Sequence, residues 1–128
     1  MTKIGEQAFA YCTGLTGTLT IPNSVTIIGD WAFRNCWGLT ALELGTGVQT
    51  IGAQAFSRCS GLESITSKAT TAPSISANTF YMVKSAGTLF VPAGATGYDT
   101  WMQTSGYYLG YYNWTLQEYT PTEGLVFE

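Results

Sequence analysis

Apolar and polar positions alternate in Leu19-Thr20-Ile21 and Leu42-Glu43-Leu44, and Ile65-Thr66-Ser67 and Leu89-Phe90-Val91 stand at the corresponding places further along the chain. A period of two turns one side of each stretch into a core and the other outward, so four short strands are expected. A turn follows, Pro22-Asn23-Ser24 or Gly45-Thr46-Gly47, and then a second apolar pair, Val25 with Ile28 or Val48 with Ile51. An Ala-Phe pair then returns the chain through what reads as a tight helical turn.

This pattern is a repeat. Ile4-Gly5-Glu6-Gln7-Ala8-Phe9-Ala10-Tyr11-Cys12-Thr13-Gly14-Leu15 recurs as Ile28-Gly29-Asp30-Trp31-Ala32-Phe33-Arg34-Asn35-Cys36-Trp37-Gly38-Leu39, and again from Ile51-Gly52 through Ala55-Phe56 and Cys59 to Gly61-Leu62. The offsets, 24 and then 23 residues, match one solenoid coil and are too short for an independent domain, so each copy has to bury its apolar face against its neighbours. The extra residue of the first coil falls between Leu15 and Leu19, where Gly17 can absorb it as a bulge.

The coil resembles the BspA-like leucine-rich repeats, which read roughly Leu-x-x-Leu-x-Leu-Pro-x-x-Val-x-x-Ile-Gly-x-x-Ala-Phe-x-x-Cys-x-x-Leu. The likeness is good from residue 4 to about 67, and the segments leading to Phe80 and then to Tyr98 and Trp101 look like the degenerate last coil and C-terminal end of such proteins. The expected fold class is a leucine-rich-repeat solenoid, β-rich with short helical turns. About four coils of 23–24 residues would occupy 1–94, an aromatic C-terminal cap 95–119 and a tail or linker 120–128. The resemblance also implies a non-catalytic protein-binding or adhesion module of a cell-surface or secreted protein, since the family consists largely of such proteins from host-associated bacteria and some protists.

Composition narrows the chemistry. The 128 residues are 45% hydrophobic and 10% charged, with a net charge of −3, which suits one modest domain. The cations Lys3, Arg34, Arg58, Lys68 and Lys84 are scattered singly, without the basic stripe that phosphate binding needs, so nucleic acid is not expected as a partner. Histidine is absent, which removes the commonest general base, the commonest metal ligand and the Ser/His and Cys/His nucleophile pairs. Glu43 and Glu63 could be rim neighbours, but nothing in the sequence would raise the pKa of either as an acid catalyst requires. No enzyme activity, cofactor or metal is expected. No apolar run reaches the roughly 20 residues of a membrane span, and Thr2-Lys3-Ile4-Gly5-Glu6 after Met1 does not read as a secretion signal.

Cys12, Cys36 and Cys59 share one coil position, so stacking places them in a column about 5 Å apart. Reduced thiols in an apolar spine are the favoured reading; the alternative is a soft metal site or a disulfide. Parallel side chains on adjacent rungs bridge poorly, and no fourth thiolate completes a zinc site. Phe9, Phe33, Phe56 and Phe80 should stack in the core in the same way. The glycines of the Ile-Gly pairs and those before each Leu mark corners that need a positive φ or a close backbone approach.

Two surfaces are candidates for binding. On the strands, Thr20, Glu43, Thr66 and Phe90 form one outward column and Thr18, Ala41, Ser64 and Thr88 an adjacent one. At the other end, eight aromatics crowd residues 98–119 without a repeat signature. Their expected job is to cap the last coil, with Tyr98 to Gln103 a short helix and Asn113 to Tyr119 a strand or extended segment. The Tyr-Tyr-Leu-Gly-Tyr-Tyr stretch departs from the Trp-x-x-Phe segment usual in the family. Tyr107, Tyr108, Tyr111 and Tyr112 would, if they face solvent, offer flat amphipathic area to proteins or sugar rings.

The expected partners are therefore a protein, such as a host surface or matrix protein, or a glycan, with no nucleic acid and no membrane insertion. A purely structural spacer that displays another domain, and carbohydrate recognition by the tyrosines, are the alternative functions. The first coil has no strand before it and no polar cap over Phe9, Leu15, Leu19 and Ile21, so that edge should be open. Either the chain is a fragment of a longer array, the favoured explanation, or copies associate weakly through residues 4 to 25.

Overall fold

The structure, a computed structural model, describes residues 2–120. Its chain winds as a stack of similar turns in which every strand pairs in parallel with its counterpart in the next coil. Strands β2 (Gly17–Ile21), β4 (Leu39–Leu44), β6 (Ser64–Ser67), β7 (Thr88–Pro92) and β8 (Thr115–Tyr119) form a five-stranded sheet in that order. Strands β1 (Lys3–Ile4), β3 (Ile27–Ile28) and β5 (Thr50–Ile51) form a second, three-stranded sheet. These short strands carry the isoleucines of the second apolar pairs of the sequence repeat.

The register follows the repeat residue by residue. Leu19 lies beside Leu42, Leu42 beside Ile65, Ile65 beside Leu89 and Leu89 beside Leu116. The irregularity needed by the longer first coil falls between Gly17 and Thr18, and Gly17 takes φ +72°, a conformation that only glycine adopts without strain. The corner glycines work differently. At Gly52 an added Cβ would lie 2.6 Å from the Asp30 backbone nitrogen, and at Gly29 2.7 Å from that of Glu6. Close approach of neighbouring coils, rather than positive φ, is what requires glycine there.

The returning Ala-Phe segment is a run of β-turns rather than a helical turn. Within the first coil Ala8, Ala10 and Cys12 donate N–H groups to the carbonyls three residues back, while Gln7, Phe9 and Tyr11 donate to Asp30, Ala32 and Arg34 of the next coil at 2.7–2.9 Å. In the second coil Trp31, Phe33 and Asn35 donate in the same way to Ala53, Ala55 and Ser57. Gln7, Tyr11, Trp31, Asn35, Gln54 and Arg58 all adopt left-handed backbone. That conformation costs non-glycine residues roughly 1–2 kcal/mol each, and it aims alternate N–H groups at the neighbouring coil, where their bonds offset the strain. A helix would have turned the same groups back on itself.

Inside the coil stands one continuous core. Ile28, Ile51, Leu42, Ile65, Leu89, Phe33 and Phe56 are almost fully buried, each such side chain contributing roughly 1.5–3 kcal/mol. The phenylalanines stack as expected, with centroids 5.2, 5.3 and 5.8 Å apart from Phe9 to Phe33 to Phe56 to Phe80, but Phe9, with no ring on its other face, is exposed and stands outside the core. All three cysteines are free thiols. Cys36 and Cys59 donate S–H to the carbonyls of Phe9 and Phe33, each at 3.2 Å, so the column also ties successive coils together. Burial pushes the Cys59 thiol up to about 12 and raises that of Cys36 as well.

At the C-terminal end, residues 98–103 form i→i+3 turns, not the expected helix. The reason is Trp101, which takes the place of a fifth phenylalanine. Its ring lies 5.6 Å from Phe80, its indole N–H donates to the Pro73 carbonyl at 3.0 Å, and a helical path would turn it out of the stack. The helical element among the described residues is a single 3-10 turn, Leu109–Tyr112, ended by left-handed Asn113. Trp114 then packs on Gly87, where a Cβ would meet the indole ring at 2.4 Å, and donates to the Lys84 carbonyl at 2.7 Å. The expected extended segment is strand β8, paired with β7 through five residues. Of the expected tail, residues 121–128 lie outside the described residues.

Candidate binding surfaces

The outward column of the large sheet is set by strand register. Thr20 lies beside Glu43, Glu43 beside Thr66, Thr66 beside Phe90 and Phe90 beside Gln117. Thr18, Ala41, Ser64, Thr88 and Thr115 make the neighbouring column. Thr20 is exposed, whereas Glu43, Thr66 and Phe90 are half-buried. The result is a strip of hydroxyls with one aromatic ring and little charge.

The carboxylates of Glu43 and Glu63 do not form an acid pair. Glu43 meets the Lys68 ammonium at 3.7 Å, and Glu63 meets that of Lys84 at 2.7 Å. The hydrogen bond from Lys84, reinforced by its charge, holds Glu63 below its ordinary value. An acid catalyst needs the opposite shift. Among the described residues no cluster of His, Cys, Asp or Glu is grouped to hold a metal ion, and no helix is long and apolar enough to cross a membrane.

The four tyrosines of the aromatic end divide into two roles. Tyr112 is half-buried, and its hydroxyl accepts the Met82 N–H at 2.9 Å, so it fastens the end to the fourth coil; burial raises its pKa. Tyr108 is half-buried as well. Tyr107 and Tyr111 are 42% and 52% exposed and stand edge to face, 5.6 Å apart at 83°. Deeper in the aromatic end, the Tyr98 hydroxyl donates to the Ala69 carbonyl and accepts from Ser67, both at 2.7 Å. This bond explains a serine on the buried side of β6, and burial raises the Tyr98 pKa.

Besides a depression of about 470 Å³ lined by Thr46, Gln49 and Thr71 among others, two further concave features flank the stack among the described residues, and the sequence pointed to only one of them. The expected open edge of the first coil carries an apolar depression of about 170 Å³, lined by Ile4, Phe9, Leu15, Leu19, Ile21 and Phe33 among others; Phe9 is 39% exposed. The other is a cleft of about 220 Å³ formed by Gln54, Asn78, Tyr81 and Tyr107. Of these only Tyr107 stood out in the sequence. A signal was present: Gln54 and Asn78 occupy one coil position, two residues before Phe56 and Phe80, and Tyr81 follows Phe80 directly.

A family profile described as the BspA type leucine rich repeat region matches residues 1–102 in six copies. No curated protein and no solved structure matches the chain.

Proposed function

Since the chain belongs to the BspA-type leucine-rich repeat family, whose repeats generally mediate protein–protein interaction at surfaces and are typically non-catalytic, we propose that it is a protein-binding module that contacts its partner through the outward face of the large sheet. The observation that carries this reading is the unbroken register from Thr20 through Glu43, Thr66 and Phe90 to Gln117. A flat ladder of short polar side chains around one aromatic ring can be covered by a partner at small desolvation cost, and an aromatic anchor amid near-neutral contacts is the usual anatomy of a binding hot spot. Family members are typically found in surface or secreted proteins, so adhesion to a host surface or matrix protein is the natural role and the cell surface the natural place.

A panel of immobilised matrix and serum proteins tests the reading. Retention of a panel member should be lost in Thr66→Arg and in Phe90→Arg and kept in Gln49→Arg, which lies beside β5. Retention that survives both sheet-face substitutions overturns it.

A second contact is favoured by the exposure of Phe9 and the apolar depression beside it. Through this edge, copies of the chain associate weakly. Sedimentation over a concentration series should show reversible association that Phe9→Ser abolishes; a strict monomer at the highest concentration refutes it.

A further inference from the structure

The cleft between the third and fourth coils and the aromatic end is built from neutral polar groups and two rings. Gln54 and Asn78, at one coil position, sit side by side at the strand spacing of about 4.8 Å. Neither side-chain amide, and neither the Tyr81 nor the Tyr107 hydroxyl, makes a hydrogen bond within the described residues, and the Asn78 Oδ1 atom is buried without a partner. Tyr81 and Tyr107 meet edge to face, 4.8 Å apart at 79°, so their rings make a right-angled corner. The Arg58 guanidinium lies over the Tyr81 ring, 5.6 Å from its centre, which fixes that wall. No ionisable group other than the tyrosines lines the space.

We propose that this cleft binds one ring of a neutral saccharide. The C–H face of a sugar packs on an electron-rich aromatic face. Two adjacent primary amides supply both donors and acceptors, a set that matches the neighbouring hydroxyls of a pyranose, and the soft terminal torsion of Asn78 lets its amide turn from an unpaired buried position to a ligand hydroxyl. Unpaired buried acceptors are unfavourable, so a ligand that satisfies this one gains by doing so. The absence of a cation or carboxylate in the lining disfavours sugar acids and peptide termini. The site lies off the face of the large sheet and stands independently of the protein contact proposed there.

The test is a titration of the 15N-labelled full chain with neutral oligosaccharides: N-acetyllactosamine, chitotriose, mannotriose and cellotriose. At least one should move the side-chain NH2 signals of Gln54 and Asn78, with a Kd of about 1 mM. Tyr107→Ala and Asn78→Ala should each weaken that binding about tenfold or more, and Phe90→Arg should leave it unchanged. Tyr107 is exposed, so Tyr107→Ala keeps the fold and remains decisive if Asn78→Ala does not. The proposal is overturned if no saccharide moves those signals, if binding survives Tyr107→Ala, or if a proline-rich peptide moves them and the saccharides do not.

Discussion

The two ends of the stack treat the ring position of the coil in opposite ways. In the first coil, Phe9 stacks on Phe33 with one face and shows the other to solvent, and a Cβ added at Gly5 or Gly14 would meet nothing within 4 Å. At the far end, Trp101 is 1% exposed, Leu109 and Trp114 are buried, and both indoles donate to backbone carbonyls. One rule explains both. A repeat residue acquires its structural role from the coil beside it, so identical residues in the first coil and in the interior are not energetically identical.

Paired substitutions can break this contrast, and the ring ladder offers the largest effect. Trp101→Ala should cost about 4 kcal/mol, in the range of large-to-small changes at buried aromatics, against about 1 kcal/mol for Phe9→Ala, whose ring is only partly removed from water. Urea unfolding measures both, and equal losses would mean that the first coil is covered in solution. Next come the corners. Gly52→Ala forces a Cβ against the Asp30 backbone and should cost about 3 kcal/mol, whereas Gly5→Ala should be neutral or slightly stabilising through the unfolded chain. A fall in melting temperature for Gly5→Ala similar to that for Gly52→Ala would refute the argument from close approach.

Smaller differences are expected along the thiol column. Cys36→Ser should cost roughly 1–3 kcal/mol, because the shorter C–O bond leaves a buried hydroxyl poorly placed for the Phe9 carbonyl, while Cys12→Ser should stay within about 0.5 kcal/mol. Cys59 adds a pH signature. Its folded-state pKa is raised from 9.0 to about 12, so its contribution is complete below pH 9.0 and is lost as the pH rises from there toward 12, where the unfolded thiol ionises and the folded one resists. Stability measured across that range should decline less in Cys59→Ala than in the parent. The smallest effect belongs to the exposed pair Glu63 and Lys84. The Glu63 pKa is lowered in the folded state, so the pair's contribution is present at neutral pH and disappears as the pH falls through that lowered value. In Lys84→Ala, the NMR titration of the Glu63 carboxyl should move upward.

How far the sequence could be read depended on repetition. Strand positions, outward columns and even the bulge at Gly17 were legible, because three aligned copies turn a spacing into a register. The left-handed residues were not, since Gln, Trp, Asn and Arg at positive φ carry no compositional mark; the short spacing suggested a helical turn, but bonding to the next coil gave a different backbone. The place of Trp101 in the ring stack was hidden because the chain from Tyr98 onward has no second copy against which to align it, and a short helix was the reading local pattern allowed. The cleft beside Tyr107 was missed for a related reason. Its amides are aligned by the repeat, but the ring that closes it, Tyr107, comes from the unrepeated end.

The strictly sequential order of the large sheet, with each strand touching only its predecessor and successor, makes the molecule a ruler. A whole coil inserted between β4 and β6 would keep every corner, turn and thiol bond intact while moving the open first coil and the tyrosine cleft apart by about 4.8 Å. Copy number would then set the distance between two points of attachment without redesign of either one.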